Sequence, residues 1–210
     1  MSVGLSDGHH LTVRMYIALL RGRQGQPLHF ISQVIDITEQ KLYEISIQRM
    51  AYRDVLTGIG NRLYFEERLH VAVAKAQELG DSVGIIYLDL DRFKYINDSA
   101  GHKAGDKALQ VIAERLAACI RKNDAIARMG GDEFTVLLSS ISNRDDLGKI
   151  AHKLLCAIEQ PIYIGGKTYQ VSASVGMAVY PRDAANPDQL LCIADQAMYC
   201  DKRSKGIDII

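Results

Sequence analysis

Apolar residues cluster in two short runs between residues 11 and 37. The runs LTVRMYIALL and LHFISQVIDI are separated by RGRQGQP, which combines Gly, Gln and Pro. This pattern predicts two strands, Leu11–Leu20 and Leu28–Ile37, joined as a hairpin. Because two strands alone are marginally stable in water, we expect residues 1–37 to be the last strands of a larger domain.

Residues 38–53 carry apolar side chains on two sides of a predicted helix. Leu42 and Ile45 mark one side, and Tyr43, Ile47 and Met50 mark the other. A helix with two apolar sides packs against more than one neighbour. Two interpretations remain open: a parallel two-helix linker between copies of the chain, or a helix packed on the domain that follows.

Helix and strand patterns alternate through the rest of the chain. Helical spacing of apolar residues predicts helices over Asn61–Leu79, Lys103–Ile120, Asp145–Ile158 and Pro187–Lys202. The near-continuous apolar run SVGIIYLDL is typical of a central strand, and DAIARM and FTVLLSS flank GGDE as in a hairpin. Further strands are predicted around Tyr169–Tyr180. The pattern predicts an α+β domain at residues 54–210, with a central, mostly antiparallel sheet covered by helices.

Composition narrows the functional classes. Lys+Arg and Asp+Glu number 25 each, and this balance argues against nucleic-acid binding, although a single nucleotide needs only a local cluster of charge. The four cysteines lack disulfide or zinc spacing, which indicates thiols in a reducing compartment. No apolar run approaches the ~20 residues of a membrane helix. We therefore expect a cytoplasmic segment, with any membrane anchor outside this sequence.

Two carboxylates close the apolar central strand. Asp89 and Asp91 stand two residues apart in YLDLD, and we expect only one of them to face a given site, assisted by the carbonyl of Leu90. Mg²⁺ prefers a few carboxylates, a carbonyl oxygen, and phosphate or water oxygens. On its own, the same pattern also fits ordinary capping of a following helix.

A second acidic pair lies in RMGGDEF. Gly130 and Gly131 permit positive φ angles and allow a triphosphate to approach the backbone closely. Asp132 and Glu133 follow directly, and a plain turn gains nothing from two adjacent acids that repel each other. A divalent cation shared with the strand-end aspartate would explain both acids, as in nucleotidyl transfer at phosphorus.

Four segments together carry a family resemblance. DVLTGIGNR, DLDRFKYINDSAGHKAGD, RMGGDEF and ADQAMYCDK occur in this order between Ala51 and Gly206, and they resemble the successive signatures of GGDEF diguanylate cyclases. The resemblance implies a fold similar to nucleotide cyclases and the polymerase palm. It also implies condensation of two GTP into cyclic di-GMP and two pyrophosphates with Mg²⁺, or Mn²⁺ in its place. Upstream, GQPLHFISQVIDITEQKLYE resembles the closing hairpin of PAS sensor domains.

The resemblance implies roles for single residues. Asp89, Asp132 and the Leu90 carbonyl would hold the metal, and Glu133 would sit beside it and help deprotonate the attacking 3′-hydroxyl. An amide and a carboxylate match the donors and acceptors of guanine. The residues implied for GTP are Asn97 and Asp106 at guanine, Phe93, Lys94, Gly130 and Gly131 along ribose and phosphates, and Lys202 and Arg62 as phosphate-binding cations.

An R-x-x-D pattern precedes the hairpin. Arg121 stands nine residues before Gly130, and Asp124 follows Arg121 by three residues. Alone, such a pair would be a solvated ion pair of little value. At this offset it resembles the inhibitory product site of the family, where an arginine fork grips phosphate or guanine. We therefore expect feedback inhibition by cyclic di-GMP.

The end of the last helix departs from the family pattern. The family has a lysine, two residues, then glycine and a basic residue, whereas here Lys205 precedes Gly206 and Ile207 follows. Lys202 remains in register, but the second phosphate-binding cation is missing. Arg203 or Lys205 could replace it.

Two functions of different classes fit these features. An active cyclase must dimerise at least transiently, because one site holds one GTP and the product is symmetric. A non-catalytic module that binds GTP or cyclic di-GMP is the alternative, and it has no need of the intact carboxylates Asp89, Asp132 and Glu133. The sequence contains neither an EAL nor an HD…GYP pattern, so we expect no phosphodiesterase activity from it.

Overall fold

A computed structural model describes residues 2–4, 10–141 and 144–206. It divides into two compact units, Met1–Met50 and Ala51–Ile210. Within the described residues, none of the helices has the length and apolar character that crossing a bilayer requires.

The first unit is a small antiparallel sheet followed by a helix. Strands β1 (Ser2–Gly4), β2 (His10–Arg21) and β3 (Pro27–Asp36) lie in the order β1-β2-β3, and helix α1 covers Thr38–Tyr52. The predicted hairpin is confirmed, with Met15 opposite Val34. Tyr16 and Ile17 are neighbours on opposite faces of β2, yet they are 52% and 64% exposed. The membership of these strands in a PAS-like domain stays a prediction.

The second unit contains seven strands and five helices among its described residues. In chain order they are β4 (Gly60–Asn61), α2 (Arg62–Leu79), β5 (Val83–Asp91), α3 (Phe93–Ala100), α4 (His102–Cys119), β6 (Ala125–Gly130), β7 (Glu133–Leu138), α5 (Arg144–Ile158), β8 (Ile162–Ile164), β9 (Lys167–Tyr169), β10 (Ser172–Tyr180) and α6 (Pro187–Ser204). The predicted helices are all present, whereas the short helix α3 was not predicted as a separate element.

The central sheet has the strand order β10-β5-β7-β6-β4. The pairs β10–β5, β5–β7 and β6–β7 are antiparallel, and only the short β4 runs parallel to its neighbour β6. The predicted α+β class with a mostly antiparallel sheet is confirmed. Strand β5 is hydrogen-bonded on both sides and buried along its whole length, which explains its almost unbroken apolar sequence.

Two apolar cores lie on opposite faces of this sheet. Ile86, Leu88 and Leu90 of β5 belong to the core that contains α4 and α5. Ile85 and Tyr87 belong to the core that contains α2 and α6. The alternation of side chains along β5 therefore directs Asp89 and Asp91 toward the face covered by α2 and α6.

A glycine allows α6 to lie directly on β10. A β-carbon built on Gly176 would approach the Ala194 carbonyl oxygen to 1.9 Å and the Met198 amide nitrogen to 2.3 Å. Only a residue without a side chain permits this backbone contact. The helix starts at a capped end, where the side chain of Asn186 accepts a hydrogen bond from the amide of Gln189. Its last turn carries Lys202 to the end of β5.

Candidate active site

The end of strand β5 and the tip of the β6–β7 hairpin lie side by side. Asp89 is directly opposite Glu133 in the antiparallel pairing of β5 with β7. The amide of Leu90 donates a hydrogen bond to the backbone carbonyl of Asp132 at 3.2 Å. The two acidic segments, separated by more than 40 positions in sequence, therefore meet at one place.

Asp89 and Asp91 point to the same face of the sheet. The expectation that only one of them could face a given site is wrong, because residues two apart on a strand share a face. Their partners nevertheless differ. Lys202 contacts Asp89, whereas Asp91 accepts hydrogen bonds from the hydroxyls of Ser172 and Ser174 at 2.8 and 2.7 Å.

Lys202 supplies the positive charge at the centre of the site. Its Nζ atom lies 2.7 Å from Oδ1 of Asp89, and the two side chains are only 19% and 9% exposed. Burial alone would lower the pKa of Lys202, but the hydrogen bond and charge of Asp89 outweigh it, followed by the charge of Asp132, so the pKa is raised. Lys202 therefore stays protonated and balances at least two carboxylates.

Asp132 is a partly buried acid close to Asp89. Burial, followed by the charge of Asp89, raises the pKa of the Asp132 carboxyl despite the opposing charge of Lys202. The charged form of Asp132 is therefore less favourable than in water, and a bound cation would stabilise it.

Glu133 accepts a hydrogen bond from Tyr87, a residue that was not predicted from the sequence to belong to the site. The hydroxyl of Tyr87 donates to Oε2 of Glu133 at 3.0 Å. Burial, then the charge and hydrogen bond of Glu133, raises the pKa of the Tyr87 hydroxyl, so it remains a donor. The charge of Arg62 acts in the opposite direction on this pKa, which locates the predicted phosphate ligand Arg62 on the Tyr87–Glu133 side of the site.

The glycine turn of the hairpin is fixed by a second missed residue. Gly130 and Gly131 have φ angles of 155° and 49°, a region that favours glycine. Arg128 donates to the Gly131 carbonyl through Nε at 2.8 Å and through its second terminal nitrogen at 2.7 Å. Its other terminal nitrogen lies 3.2 Å from Oδ1 of Asp54. Arg128 therefore links the DVLTG segment, which contains Asp54, to the turn of the GGDEF hairpin.

The residues predicted to read guanine lie on the neighbouring helices α3 and α4. A β-carbon on Gly105 would meet Oδ1 of Asn97 at 2.0 Å and the ring of Phe93 at 3.2 Å. The absence of a side chain at Gly105 therefore leaves room for that of Asn97. Asp106 follows Gly105 and is exposed, whereas Phe93 is buried.

An open cleft of about 1800 Å³ runs along the end of β5, above the roughly 300–1,000 Å³ usual for small-molecule sites. Six predicted site residues line it: Asp89, Leu90, Phe93, Lys94, Asp132 and Lys202. The other predicted residues of the substrate site lie outside this lining: Asn97, Asp106, Gly130, Gly131, Glu133 and Arg62. Arg121 and Asp124 lie in the turn between α4 and β6, where the Arg121 amide donates to Oδ2 of Asp124 at 3.1 Å.

The carboxylates at the end of β5 and at the hairpin tip are the candidate ligands of the predicted metal. No three His, Cys, Asp or Glu side chains are grouped closely enough to hold a metal ion by themselves in the part of the chain that the structure describes. Mg²⁺, however, is commonly held by one or two carboxylates together with substrate phosphates and water. Asp89 and Asp132 fit that mode, since the pairing of β5 with β7 and the hydrogen bond from Leu90 to Asp132 bring the two acids to one place.

The comparisons with known proteins agree with this geometry. The family model described as diguanylate cyclase, GGDEF domain, matches residues 51–207. The chain is 42% identical over 159 residues to the diguanylate cyclase TpbB of Pseudomonas aeruginosa, a match that covers 75% of this chain and 37% of TpbB. A structure of the GGDEF domain of TpbB superposes with a TM-score of 0.71, covering 73% of this chain and 90% of that domain.

Two further matches widen the comparison. The cyclic di-GMP phosphodiesterase NbdA of the same organism is 36% identical over 157 residues, covering 75% of this chain and 20% of NbdA. A microbial GGDEF domain solved for its interaction with cyclic di-GMP is 31% identical with a TM-score of 0.66, covering 75% of this chain and 94% of that one. The chain thus spans about a third or less of the curated relatives it matches here. The resemblance seen in the four sequence segments is confirmed, and the chain belongs to the GGDEF-domain diguanylate cyclase family.

Proposed function

We propose that this chain condenses two GTP into cyclic di-GMP and two pyrophosphates. The observation that carries the proposal is the meeting of Asp89 and Asp132 around Lys202 in an open cleft. Two carboxylates beside a lysine, in a cleft with room for a nucleotide, suit a metal-bound triphosphate. Membership in the family supports the same reaction.

Asp89, Asp132 and the Leu90 carbonyl would hold Mg²⁺ or Mn²⁺. The cation, when bound, would neutralise the triphosphate and lower the pKa of the attacking hydroxyl. Lys202 already stands beside Asp89, so its ammonium is placed to pair with a phosphate oxygen once that carboxylate is engaged. Phe93 and Lys94 line the same cleft and would flank the ribose and phosphates, with Arg62 as a further cation.

Glu133 would act on the 3′-hydroxyl. In the reaction the 3′-oxygen of one GTP bonds to the α-phosphorus of the other, and the bond from that phosphorus to the β-phosphate oxygen breaks. The hydroxyl proton would pass to Glu133, whose carboxylate Tyr87 holds in place by a hydrogen bond of 3.0 Å. Repetition of the step in the opposite direction closes the ring.

Asn97 and Asp106 would recognise guanine. An aspartate can accept from the N1–H and the exocyclic amine of guanine, and an asparagine can pair with the remaining edge. The packing of Asn97 against Gly105 supports this role, because it restricts the orientation of the amide.

A homodimer follows from the symmetry of the product. Each domain contributes one carboxylate cleft, whereas the product needs two nucleotides attacked in turn. We infer that two copies meet at least transiently, each supplying one bound GTP. The population of that encounter complex would set the rate.

Feedback inhibition is proposed at Arg121 and Asp124. The Arg121 amide donates to the Asp124 carboxylate and the Asp124 amide donates to the Arg121 carbonyl. The two residues thus share a compact turn, in which Arg121 is exposed. A relative solved with cyclic di-GMP supports binding of the product to such a domain. Replacing Arg121 with Ala should raise the cyclic di-GMP concentration needed for half inhibition about tenfold or more. Unchanged inhibition would contradict the assignment.

The enzymatic proposal is tested by chromatography of nucleotides after incubation with GTP and Mg²⁺. The wild-type chain should form cyclic di-GMP, and Asp132→Asn and Glu133→Gln should each lower the rate at least about 100-fold. Asp145→Asn is the matched control, because Asp145 is an exposed acid of α5. Full activity of both site variants would refute the proposal.

A binding module is the second candidate, favoured by the similarity to NbdA, which is named for a different activity. Such a module would bind GTP or cyclic di-GMP without turnover. Tight binding of GTP together with no product at high protein concentration would establish it.

A further inference from the structure

A buried acid beside the proposed site has no role in the chemistry described above. Asp91 is 4% exposed and lies on the same face of β5 as Asp89. Its carboxylate accepts from both Ser172 and Ser174 at the start of β10. A buried charge of this kind persists only with partners that compensate its lost hydration.

Lys205 provides the nearby positive charge. Its Nζ atom lies 3.9 Å from Oδ2 of Asp91 and 2.8 Å from Oδ2 of Asp201. It also donates to the carbonyl of Ala173 at 2.9 Å. Lys205, which directly precedes Gly206 in this chain, is thus bound to the protein itself.

Asp201 completes the connection between helix α6 and strand β10. Its carboxylate accepts a hydrogen bond from the amide of Val175 at 2.9 Å. Lys205 and Asp201 are four residues apart and lie on the same side of the helix. The last turn of α6 is therefore fastened to the first four residues of β10 through Asp91, Ala173 and Val175.

Lys202 lies within this fastened turn. Two lysines face two aspartates of β5. Lys202, in the last turn of α6, lies at Asp89, and Lys205, the residue that follows the helix, lies at Asp91. The inner pair is the one in the proposed GTP site. The outer pair is supported by four additional polar contacts that lie outside the proposed chemistry.

We propose that Asp91, Lys205 and Asp201 are positioning residues that hold the last turn of α6 so that Lys202 faces Asp89 and the triphosphate. The proposal rests on the proposed function, since it assigns Lys202 to the phosphates. It also gives Lys205 a different part from direct phosphate binding. A cation already bound to two carboxylates and a carbonyl would have to give up those contacts to reach GTP.

The test combines a binding cycle with amide exchange in the whole chain. Affinity is measured for a GTP analogue whose α–β bridging oxygen is replaced by methylene, so that no turnover is needed. The variants are Lys205→Met, Lys202→Met and the double variant. Lys75→Met is the matched control, because it removes the same charge at an exposed position of α2 outside the cleft lining.

Lys205→Met should weaken analogue binding about tenfold in the wild-type background and less than about twofold when Lys202 is already Met. Lys75→Met should change affinity less than about twofold. Equal losses from Lys205→Met in both backgrounds would overturn the proposal, since Lys205 would then act on the phosphates by itself.

Amide hydrogen exchange without nucleotide tests the anchoring independently of function. Lys205→Met and the isosteric Asp91→Asn should speed exchange at the amides of Val175, Lys205 and Gly206, whose acceptors lie in this turn, while exchange in α4 stays unchanged. Unchanged exchange in both variants would overturn the proposal. If the anchoring is seen but the wild-type chain makes no cyclic di-GMP, the proposed function fails and the anchoring stands.

Discussion

Asp132 is the residue at which function and stability oppose each other most clearly. Burial and the charge of Asp89 raise its pKa, so the charged form is less favourable in the folded than in the unfolded chain. At neutral pH that difference reduces the free energy of unfolding. Such a cost is expected where acids are gathered to receive a cation.

Replacement of Asp132 by Asn should therefore stabilise the nucleotide-free chain at neutral pH while removing activity. We expect a higher free energy of unfolding in urea with chelator present, and a smaller rise in melting temperature on adding Mg²⁺ than the wild-type chain shows. The exposed Asp145→Asn should change neither quantity appreciably. A less stable Asp132→Asn chain would contradict this view of the site.

Arg128 connects the DVLTG segment to the GGDEF hairpin through an ion pair with Asp54, in which both side chains are largely buried. Burial alone would raise the pKa of Asp54, but hydrogen bonds from Thr57 and then the charge and hydrogen bond of Arg128 hold it below its usual value. A lowered carboxyl pKa means that the contribution of Asp54 to stability is present at neutral pH. It is lost as the pH falls below about 4 toward the folded-state pKa.

Arg128→Met should lower the free energy of unfolding by about 2 kcal/mol at pH 7. The substitution removes the cation paired with Asp54, which keeps only its hydrogen bonds from Thr57, and the donor to the Gly131 carbonyl. The difference from wild type should shrink as the pH is lowered through the titration of Asp54. Arg144→Met is the matched control, since the Arg144 side chain is 45% exposed against 14% for Arg128, and it should cost less than about 1 kcal/mol. Both free energies of unfolding are measured in urea. Equal losses in the two variants would show that the contacts of Arg128 contribute no more than an exposed ion pair.

At the scale of elements, the contact between α6 and β10 decides where the lysines stand. A β-carbon on Gly176 would collide with backbone atoms of Ala194 and Met198, and backbone in a helix cannot move aside locally. The helix would have to lift from the sheet, taking Lys202 away from Asp89.

Gly176→Ala should consequently lower the free energy of unfolding by about 3 kcal/mol or more. Gly148→Ala in α5 is the control, because a β-carbon there meets nothing within 4 Å, and it should stabilise the chain by about 0.5–1 kcal/mol. Thermal or urea unfolding measures both. A Gly176→Ala chain as stable as wild type would show that α6 is not seated as described.

Prediction from the sequence succeeded for elements whose pattern is strong and local. The continuous apolar run of β5, the helical spacing of α4 and the glycine pair of the hairpin each encode their own structure. The short helix α3 was not separated from its neighbours, because it follows β5 after a single residue, Arg92, in a left-handed conformation. Contacts that join distant residues were also missed, since Arg128 and Asp54 lie 74 positions apart and no local pattern pairs them.

For the acidic site, the sequence indicated which residues lie close together but only part of how they are arranged. Asp89, Asp132 and Lys202 come together as the family pattern suggested. The relation of Asp89 to Asp91 was misjudged, and the part of Tyr87 was not seen because a tyrosine in an apolar strand resembles a core residue. Its hydroxyl becomes significant only through the cross-strand pairing that places Glu133 within reach.

At the scale of the whole molecule, the cleft at the end of β5 is proposed to bind one GTP. The product, however, is made from two nucleotides. Synthesis should therefore depend on the meeting of two copies. Helix α1 follows the upstream sheet in the chain and leads into the domain with the site. Regulation of dimerisation by this upstream unit, and its sensory role, stay predictions.

The most direct measurement quantifies cyclic di-GMP and pyrophosphate together, across a protein dilution series with saturating GTP and Mg²⁺. The predicted result is two pyrophosphates for each cyclic di-GMP, with a rate per chain that falls as the protein is diluted. Absence of cyclic di-GMP at every concentration, with GTP left intact, would contradict the account.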